Sequence, residues 1–449
     1  MASVSRIKWI ALIFVFGCPS TCECLKIAVI GAGASGLTSA KNAIEQGHEV
    51  YVFEKTAVLG GVWYYTEDTG KDQYNVVIHT PMYRDLRTNG PYQTMEFSDF
   101  HFPPGTQSYP SHEVVWTYLN SYAQTFNVTE RIKYQHLVEK VRSIPNNKWE
   151  ISVKNLKNNN RTETSTYDSV FVCNGVCSSP VYPNIPGITD FKGEYLHSHD
   201  YRIPEPYKGR NVLVVGAGAS GVEIVRQLSR AGSNVTLSRH ERPDESENLR
   251  KRREQLYECT LKDDVKRVTA YGVDFEDGTS EKYAAIIYAT GYEHKYPFLD
   301  KNTGIQVIEN YVRPLYKQIL NINHATMAFI GIPIVAAHMH MYDLQARFAL
   351  KFISGRKKMP TKSTMQQDML AKDADRRNNN IPRSRSHVLS WNHKKYYREL
   401  SNTAGITNVP EVISDIFTNG LESLKKDARE YRTYKYIIND DGTFDKVKE

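Results

Sequence analysis

The chain has little cysteine, no strong charge of either sign and no apolar run long enough to cross a bilayer, and each shortage excludes a class of protein. Six Cys in 449 residues rule out a disulfide scaffold, because a chain of this length can hold itself together by apolar burial. Cys18, Cys22 and Cys24 sit in or beside the N-terminal leader, leaving Cys173, Cys177 and Cys259. CNGVC at 173–177 could close one bridge, but its spacing fits neither a CxxC redox pair nor a zinc site with further ligands. Packing is its first reading, and no metal site is expected. Lys and Arg number 57 against 50 Asp and Glu, a formal net charge of +7, too mild to point to nucleic acid. The basic runs RKRR at 250–253 and RKK at 356–358 lack interleaved aromatics and read as solvated faces. With 40% hydrophobic and 24% charged residues, the balance is that of a soluble globular protein of two or three domains.

The apolar run WIALIFVF at 9–16 is too short to span a membrane, which takes about 20 residues. Arg6 and Lys8 precede it and the small-residue stretch GCPSTCEC follows, so residues 1–22 read as a secretory signal peptide cleaved between Ser20 and Cys24. The expected localisation is therefore secreted, with no membrane anchor. Sequons at Asn127, Asn160 and Asn234 agree with that route, although Asn234 falls in an expected strand. Tyr is abundant at 29 residues, which fits aromatic-lined pockets or, more plainly, strands and cores.

What is present in quantity is order around glycine. GAGASG occurs at 31–36 and again at 216–221. Each copy follows an apolar strand (IAVI, VLVV) and opens an amphipathic helix, the context that makes GxGxxG specific for a dinucleotide. Gly31 and Gly216 make the tight turn, Gly33 and Gly218 admit a pyrophosphate to the backbone, and Gly36 and Gly221 let helix pack on strand. Ala34, Ser35, Ala219 and Ser220 begin the helices whose N–H groups face the phosphates. The expected fold is α/β, with a larger dinucleotide-binding domain and a smaller one inserted in it.

The copies differ where the second strand ends, beside the adenosine ribose. HEVYVFEK places Glu54 there and SNVTLSRH places Arg239, each 23 positions after the first glycine of its copy (54 − 31 and 239 − 216). A carboxylate accepts hydrogen bonds from ribose hydroxyls, whereas a guanidinium holds a phosphate. The first site is thus expected to take FAD or NAD and the second NADPH, with Ser238 assisting. Lys55, Gly60, Gly61, Val62 and Trp63 follow Glu54 in KTAVLGGVW, a run that can approach a pyrophosphate and offer a stacking face, which favours FAD.

FKGEYLHSHDY at 191–201 fits the pattern FxGxxxHxxxY through Phe191, Gly193, His197 and Tyr201, just before the second glycine turn. With YATGY at 288–292 (Thr290, Gly291) and LRTNGP at 86–91 (Asn89), the chain resembles the flavin-containing monooxygenases from about Ile27 to Phe352. Tyr201 stands where the related Baeyer–Villiger enzymes carry Trp. The signal sequence is most similar to the secreted insect members that N-oxygenate pyrrolizidine alkaloids, whereas mammalian members end in an apolar anchor. The resemblance implies FAD reduced by NADPH, addition of O₂ as a flavin hydroperoxide, and transfer of one oxygen to a small-molecule tertiary amine or sulfide. It implies that Asn89 hydrogen-bonds near the reactive edge of the flavin. Read without it, Asn89-Gly90-Pro91 is a turn, and Tyr201 with RIPEPYKG is a hinge between domains. A flavin disulfide reductase, a Baeyer–Villiger enzyme and a flavin-binding protein without turnover remain alternatives, and a homo-oligomer is left open.

The expected organisation is a signal peptide at 1–22, the first part of the FAD domain at 23–203, the NADPH domain at 204–287, and a return to the FAD domain with a helical region at 288–449. The strand ending in ATGY is expected to carry the chain back, so that KTAVLGG and ATGY converge on the flavin.

Overall fold

A computed structural model describes residues 23–158, 161–240 and 245–449. The expected signal peptide at 1–22 and the sequon at Asn160 lie outside the described residues. The strand Lys26–Ile30 is buried at four of five positions and runs directly into the first glycine turn. It pairs in parallel with Glu49–Glu54 on one side and Ser169–Val172 on the other. Ile132–Tyr134 and Met327–Phe329 extend the parallel core, and an antiparallel pair, Leu315–Tyr316 and Leu320–Asn321, completes seven strands. Near-continuous Val, Ile and Phe in these strands reflect burial on both faces, one under helices and the other under the strands of residues 136–167.

The second unit repeats this plan. Asn211–Val215 lies centrally, with Asn234–Ser238 and then Thr260–Lys262 on one side and Ala285–Tyr288 and then Glu194–His197 on the other, all parallel. Each unit also carries a three-stranded antiparallel meander between its second strand and the strand that returns to the centre. The first is His136–Ile144, Lys148–Asn155 and Arg161–Tyr167; the second is Val265–Val268, Gly272–Phe275 and Ser280–Lys282. The duplication therefore covers a whole domain plan and not only six residues.

Two boundaries differ from those read in the sequence. Glu194–His197 pairs with Ala285–Tyr288, so the second sheet starts before residue 204, and the strand that leads into ATGY belongs to that sheet instead of returning the chain to the first. Strand pairing is decided by tertiary packing, and the sequence of a buried strand carries no mark of which sheet it joins. The actual return is Met327–Phe329, followed by the helix His338–Ile353, which packs on the first glycine helix Ala34–Glu45. About half of the abundant Tyr is core: Tyr109, Tyr122, Tyr201, Tyr288, Tyr397 and Tyr431 are among the largest fully buried side chains. Among the described residues, no helix is long and apolar enough to cross a membrane.

Candidate functional site

The glycines are explained by what a side chain would meet. Gly31 has φ +103°, and a Cβ there would lie 2.6 Å from the Cys173 carbonyl oxygen; Gly216 has φ +108° and would meet the Ala289 carbonyl oxygen at 2.5 Å. CNG at 173–175 and ATG at 289–291 are thus the same structural element, the end of the returning strand pressed against the glycine turn. A Cβ on Gly36 or Gly221 would come within 1.9 Å of the carbonyl of the first glycine in its own turn. Gly33 and Gly218 are different, because at φ −78° and −76° neither backbone needs glycine. Each begins a 12-residue helix, Ala34–Glu45 or Ala219–Arg230, and no side chain caps its first amides. Open N–H groups at a helix start, over a residue without a side chain, fit a pyrophosphate.

Enclosure separates the two turns. Ala34 and Ser35 are buried, whereas Gly218 and Ala219 are exposed and Ser220 is half-buried. Over the first turn lies the segment after Glu54, where the Gly60 N–H bonds the Ala32 carbonyl at 2.9 Å and the Gly61 Cα would be 3.5 Å from a Cβ on Gly33. Gly60 has φ +112°, and a Cβ there would meet the Trp116 ring at 2.6 Å, while the Trp116 indole N–H donates to the Leu59 carbonyl at 2.9 Å. A Cβ on Gly218 meets nothing within 4 Å. A covered turn suits a cofactor that stays and an open one a cofactor that exchanges.

Glu54 is 4% exposed, and its carboxylate accepts the Ala32 N–H at 2.8 Å and both the N–H and hydroxyl of Thr56 at 2.9 Å. It braces the glycine turn from within and stands at the ribose end of the strand. Lys55 is half-buried and donates to the Val77 carbonyl at 3.0 Å; burial draws its ammonium below the usual lysine range. Val62 accepts the Thr80 hydroxyl at 3.0 Å, and Trp63 packs on the main core. In the second unit, Arg239 is buried beside Glu245. The Ser238 hydroxyl is turned to the Asp263 carbonyl at 2.8 Å, so its proton is committed to the backbone. The Thr290 hydroxyl donates to the Val181 carbonyl at 2.6 Å, and Gly291 has φ +82°.

Asn89 is exposed, and its Oδ1 accepts hydrogen bonds from the Tyr431 hydroxyl and the Arg432 guanidinium, both at 3.1 Å. Arg can only donate, which fixes the amide with oxygen toward the clamp and NH₂ away from it. Arg432 also donates to the Thr88 and Arg87 carbonyls at 3.1 and 3.0 Å and pairs with Glu223 at 3.0 Å, on the second glycine helix. It ties the Asn89 loop to the nicotinamide unit. A cavity of about 500 Å³ opens beside this clamp, with Arg84, Glu223, Arg226 and Arg432 in its lining.

The connector between the units is tightly held. Arg202 is buried and donates to the carbonyls of His199 (2.7 Å), Tyr201 (3.1 Å), Asp68 (3.0 Å) and Thr80 (3.2 Å). The Tyr201 hydroxyl donates to Gln227 at 3.2 Å. His197 is fully buried and accepts the His199 N–H at 3.0 Å, and burial draws its pKa down to about 4, so the ring is neutral at physiological pH. His79, Cys177 and His338 keep part of their surface accessible, yet burial sets their titration, to about 3, about 11 and about 4. Cys177 lies near Tyr292, which follows the second sheet, and Tyr342, on the helix that packs on the first glycine helix. Cys173 and Cys177 are free thiols, and burial pushes them up to about 12 and about 11, opposite to the activation that thiol–disulfide exchange requires.

Sequence reading had no signal for Tyr431 and Arg432, which meet Asn89 from more than 340 positions away. Thr56 and Glu245 were also missed, although each lies within six positions of a flagged residue.

Two dinucleotide units, one enclosed behind an acid and one open beside an arginine, define a flavin- and nicotinamide-dependent oxidoreductase. The profile of the Flavin-binding monooxygenase-like family (FMO-like) matches residues 24–243 and 255–447. The chain belongs to that family and is an FAD- and NADPH-dependent monooxygenase. It is similar to Senecionine N-oxygenase of Tyria jacobaeae, with 33% identity covering 97% of this chain and 95% of that one. Flavin-containing monooxygenase FMO GS-OX4 of Arabidopsis thaliana is 30% identical over 92% of each chain. The solved structure of S-allyl-L-cysteine S-oxygenase from Allium sativum superposes with a TM-score of 0.83 at 30% identity, covering 91% of this chain and 95% of that one.

Proposed function

We propose that this enzyme N-oxygenates tertiary-amine plant alkaloids of the pyrrolizidine type, as a secreted detoxifying protein. The observation that carries the substrate class is the near full-length similarity to an enzyme named for senecionine N-oxygenation. Sulfur oxygenation is the second reading, favoured by the similarity to an S-oxygenase structure. Secretion rests on the charged and apolar pattern of residues 1–22.

When bound, FAD supplies the redox and oxygen-transferring chemistry and NADPH supplies the hydride. The protein's residues bind, orient and exclude water. Gly31 to Gly36, Glu54 and Gly61 hold FAD in the enclosed turn, while Gly216 to Gly221 and Arg239 receive NADPH in the open one. The Tyr431–Arg432 clamp holds the Asn89 amide with its two N–H donors directed away from the clamp, free to donate to the flavin. Exclusion of bulk water from the reacting region protects a water-sensitive oxygen donor. A soft nucleophile needs no proton removed before it attacks such a donor, so no general base is assigned.

The test is turnover with a panel of pyrrolizidine alkaloids, simple tertiary amines and thioethers under ¹⁸O₂, reading NADPH consumed and labelled N- or S-oxide formed. Labelled alkaloid N-oxide in near-equal amount to NADPH supports the proposal. Labelled S-oxide with no N-oxide overturns it in favour of the second reading. Detection of the mature chain in culture medium of a eukaryotic expression host, starting between Ser20 and Cys24, tests secretion.

A further inference from the structure

The residue six positions beyond Arg239 changes what the arginine can do. Glu245 is as buried as Arg239, each side chain being 6% exposed, and its carboxylate pairs with the Arg239 guanidinium through Oε2. Its other oxygen lies 3.1 Å from Nε of Arg253, which is itself three-quarters buried. Arg253 is held in place by the helix Glu247–Tyr257, which begins at Ser246, whose hydroxyl accepts the Leu249 N–H. Arg250 fixes the same helix to the second sheet through Asp263 at 3.0 Å and the Leu261 carbonyl at 2.7 Å. The end of the strand Asn234–Ser238 therefore presents two guanidinium groups with one carboxylate between them.

A 2′-phosphate arriving at Arg239 meets that carboxylate. Like charges in a desolvated site repel strongly, and an ion pair buried to this degree is costly to separate unless another anion replaces it. A ribose with a free 2′-hydroxyl brings no charge and can donate to the same carboxylate, as a ribose does to the acid that closes an NAD site. We propose that Glu245 is a specificity-determining residue that competes with the 2′-phosphate of NADPH for Arg239 and Arg253 and so narrows the preference for NADPH over NADH. The inference rests on the assignment of the second site to NADPH. When the phosphate binds, Glu245 yields both guanidinium groups, and Arg253 becomes the second arm of the phosphate clamp.

The test is calorimetric binding of adenosine 2′,5′-bisphosphate and of 5′-AMP to the FAD-loaded protein, with Glu245→Gln as the variant. The glutamine keeps the shape and removes the charge. The expected result is at least tenfold tighter binding of the bisphosphate, with 5′-AMP unchanged or weaker. A smaller gain, or a loss, in bisphosphate affinity overturns the proposal. If circular dichroism shows that Glu245→Gln has not folded, Arg253→Gln carries the test. It must weaken the bisphosphate at least tenfold and leave 5′-AMP within threefold, and any other result overturns the proposal. Arg239→Ala separates the two levels. If wild type does not prefer the bisphosphate and Arg239→Ala changes nothing, the NADPH assignment of this site has failed. If Arg239→Ala abolishes a clear preference while Glu245→Gln leaves it intact, only the role of Glu245 has failed.

Discussion

Replacing Gly218 with alanine should separate cofactor binding from folding at a single methyl group. The backbone there is extended, at φ −76° and ψ −175°, and a Cβ would touch nothing within 4 Å. Alanine is a poorer helix N-cap than glycine by about 0.5–1 kcal/mol. It also stiffens the unfolded chain, which returns about 0.4–1 kcal/mol. The two effects offset, so the melting temperature should hardly move. The methyl group lies where the pyrophosphate must approach the helix amides. Losing or stretching one charge-assisted hydrogen bond costs about 1.5–3 kcal/mol, a rise in the NADP⁺ dissociation constant of about 10- to 150-fold. Titration calorimetry with NADP⁺, the flavin absorbance per mole of protein and a thermal melt give the three readings. FAD should remain at full occupancy, since the first turn is untouched. Unchanged NADP⁺ affinity in a variant that melts like wild type and keeps its flavin would refute the role assigned to this turn. Gly221→Ala is the contrast: its Cβ would lie 1.9 Å from the Gly216 carbonyl oxygen, so that variant should lose fold as well as cofactor.

Stability should fall with acid before the carboxylates titrate. His197, His294 and His387 are buried and drawn by burial from 6.5 to about 4, about 4 and about 3. The unfolded chain then binds protons below pH 6.5 that the folded one refuses until about pH 4 or lower, so stability is present in full above pH 6.5 and lost as pH drops through that window. The slope approaches about 1.4 kcal/mol per pH unit for each histidine; urea unfolding at pH 7.5 and 5.0 reads it, and equal midpoints would contradict it. Glu54→Ala should leave the Ala32 and Thr56 amides without their acceptor in a buried site. The expected cost is about 1–3 kcal/mol, together with loss of FAD. A variant that purifies yellow with the wild-type denaturation midpoint would show that Glu54 does neither job.

The glycine turns were legible because their requirements are local: a left-handed or crowded backbone, an apolar strand before it and a helix after it. Glu54 and Arg239 were legible because fixed strand and helix lengths bring the same position to the end of the second strand in both copies. Membership of strands was not. Ala285–Tyr288 and Ser169–Val172 are short, apolar and alike, and only packing in space assigns each to its sheet. Asn89 could be flagged only by resemblance, since the Tyr431 and Arg432 that orient it approach from the other end of the chain. Glu245 was overlooked for a related reason, because it is one of three acids in RHERPDES and no periodicity betrays that it is the one buried between Arg239 and Arg253.

The fifth strand of each parallel array enters from opposite directions along the chain. The inner unit gathers all its strands between Glu194 and Tyr288, whereas the outer one waits for Met327–Phe329 to close against Ser169–Val172. During synthesis, then, the nicotinamide unit can be complete while the flavin unit still lacks an edge. A nascent chain whose residues have emerged from the ribosome past 288 but not as far as 327 would carry one finished domain and one still without its fifth strand.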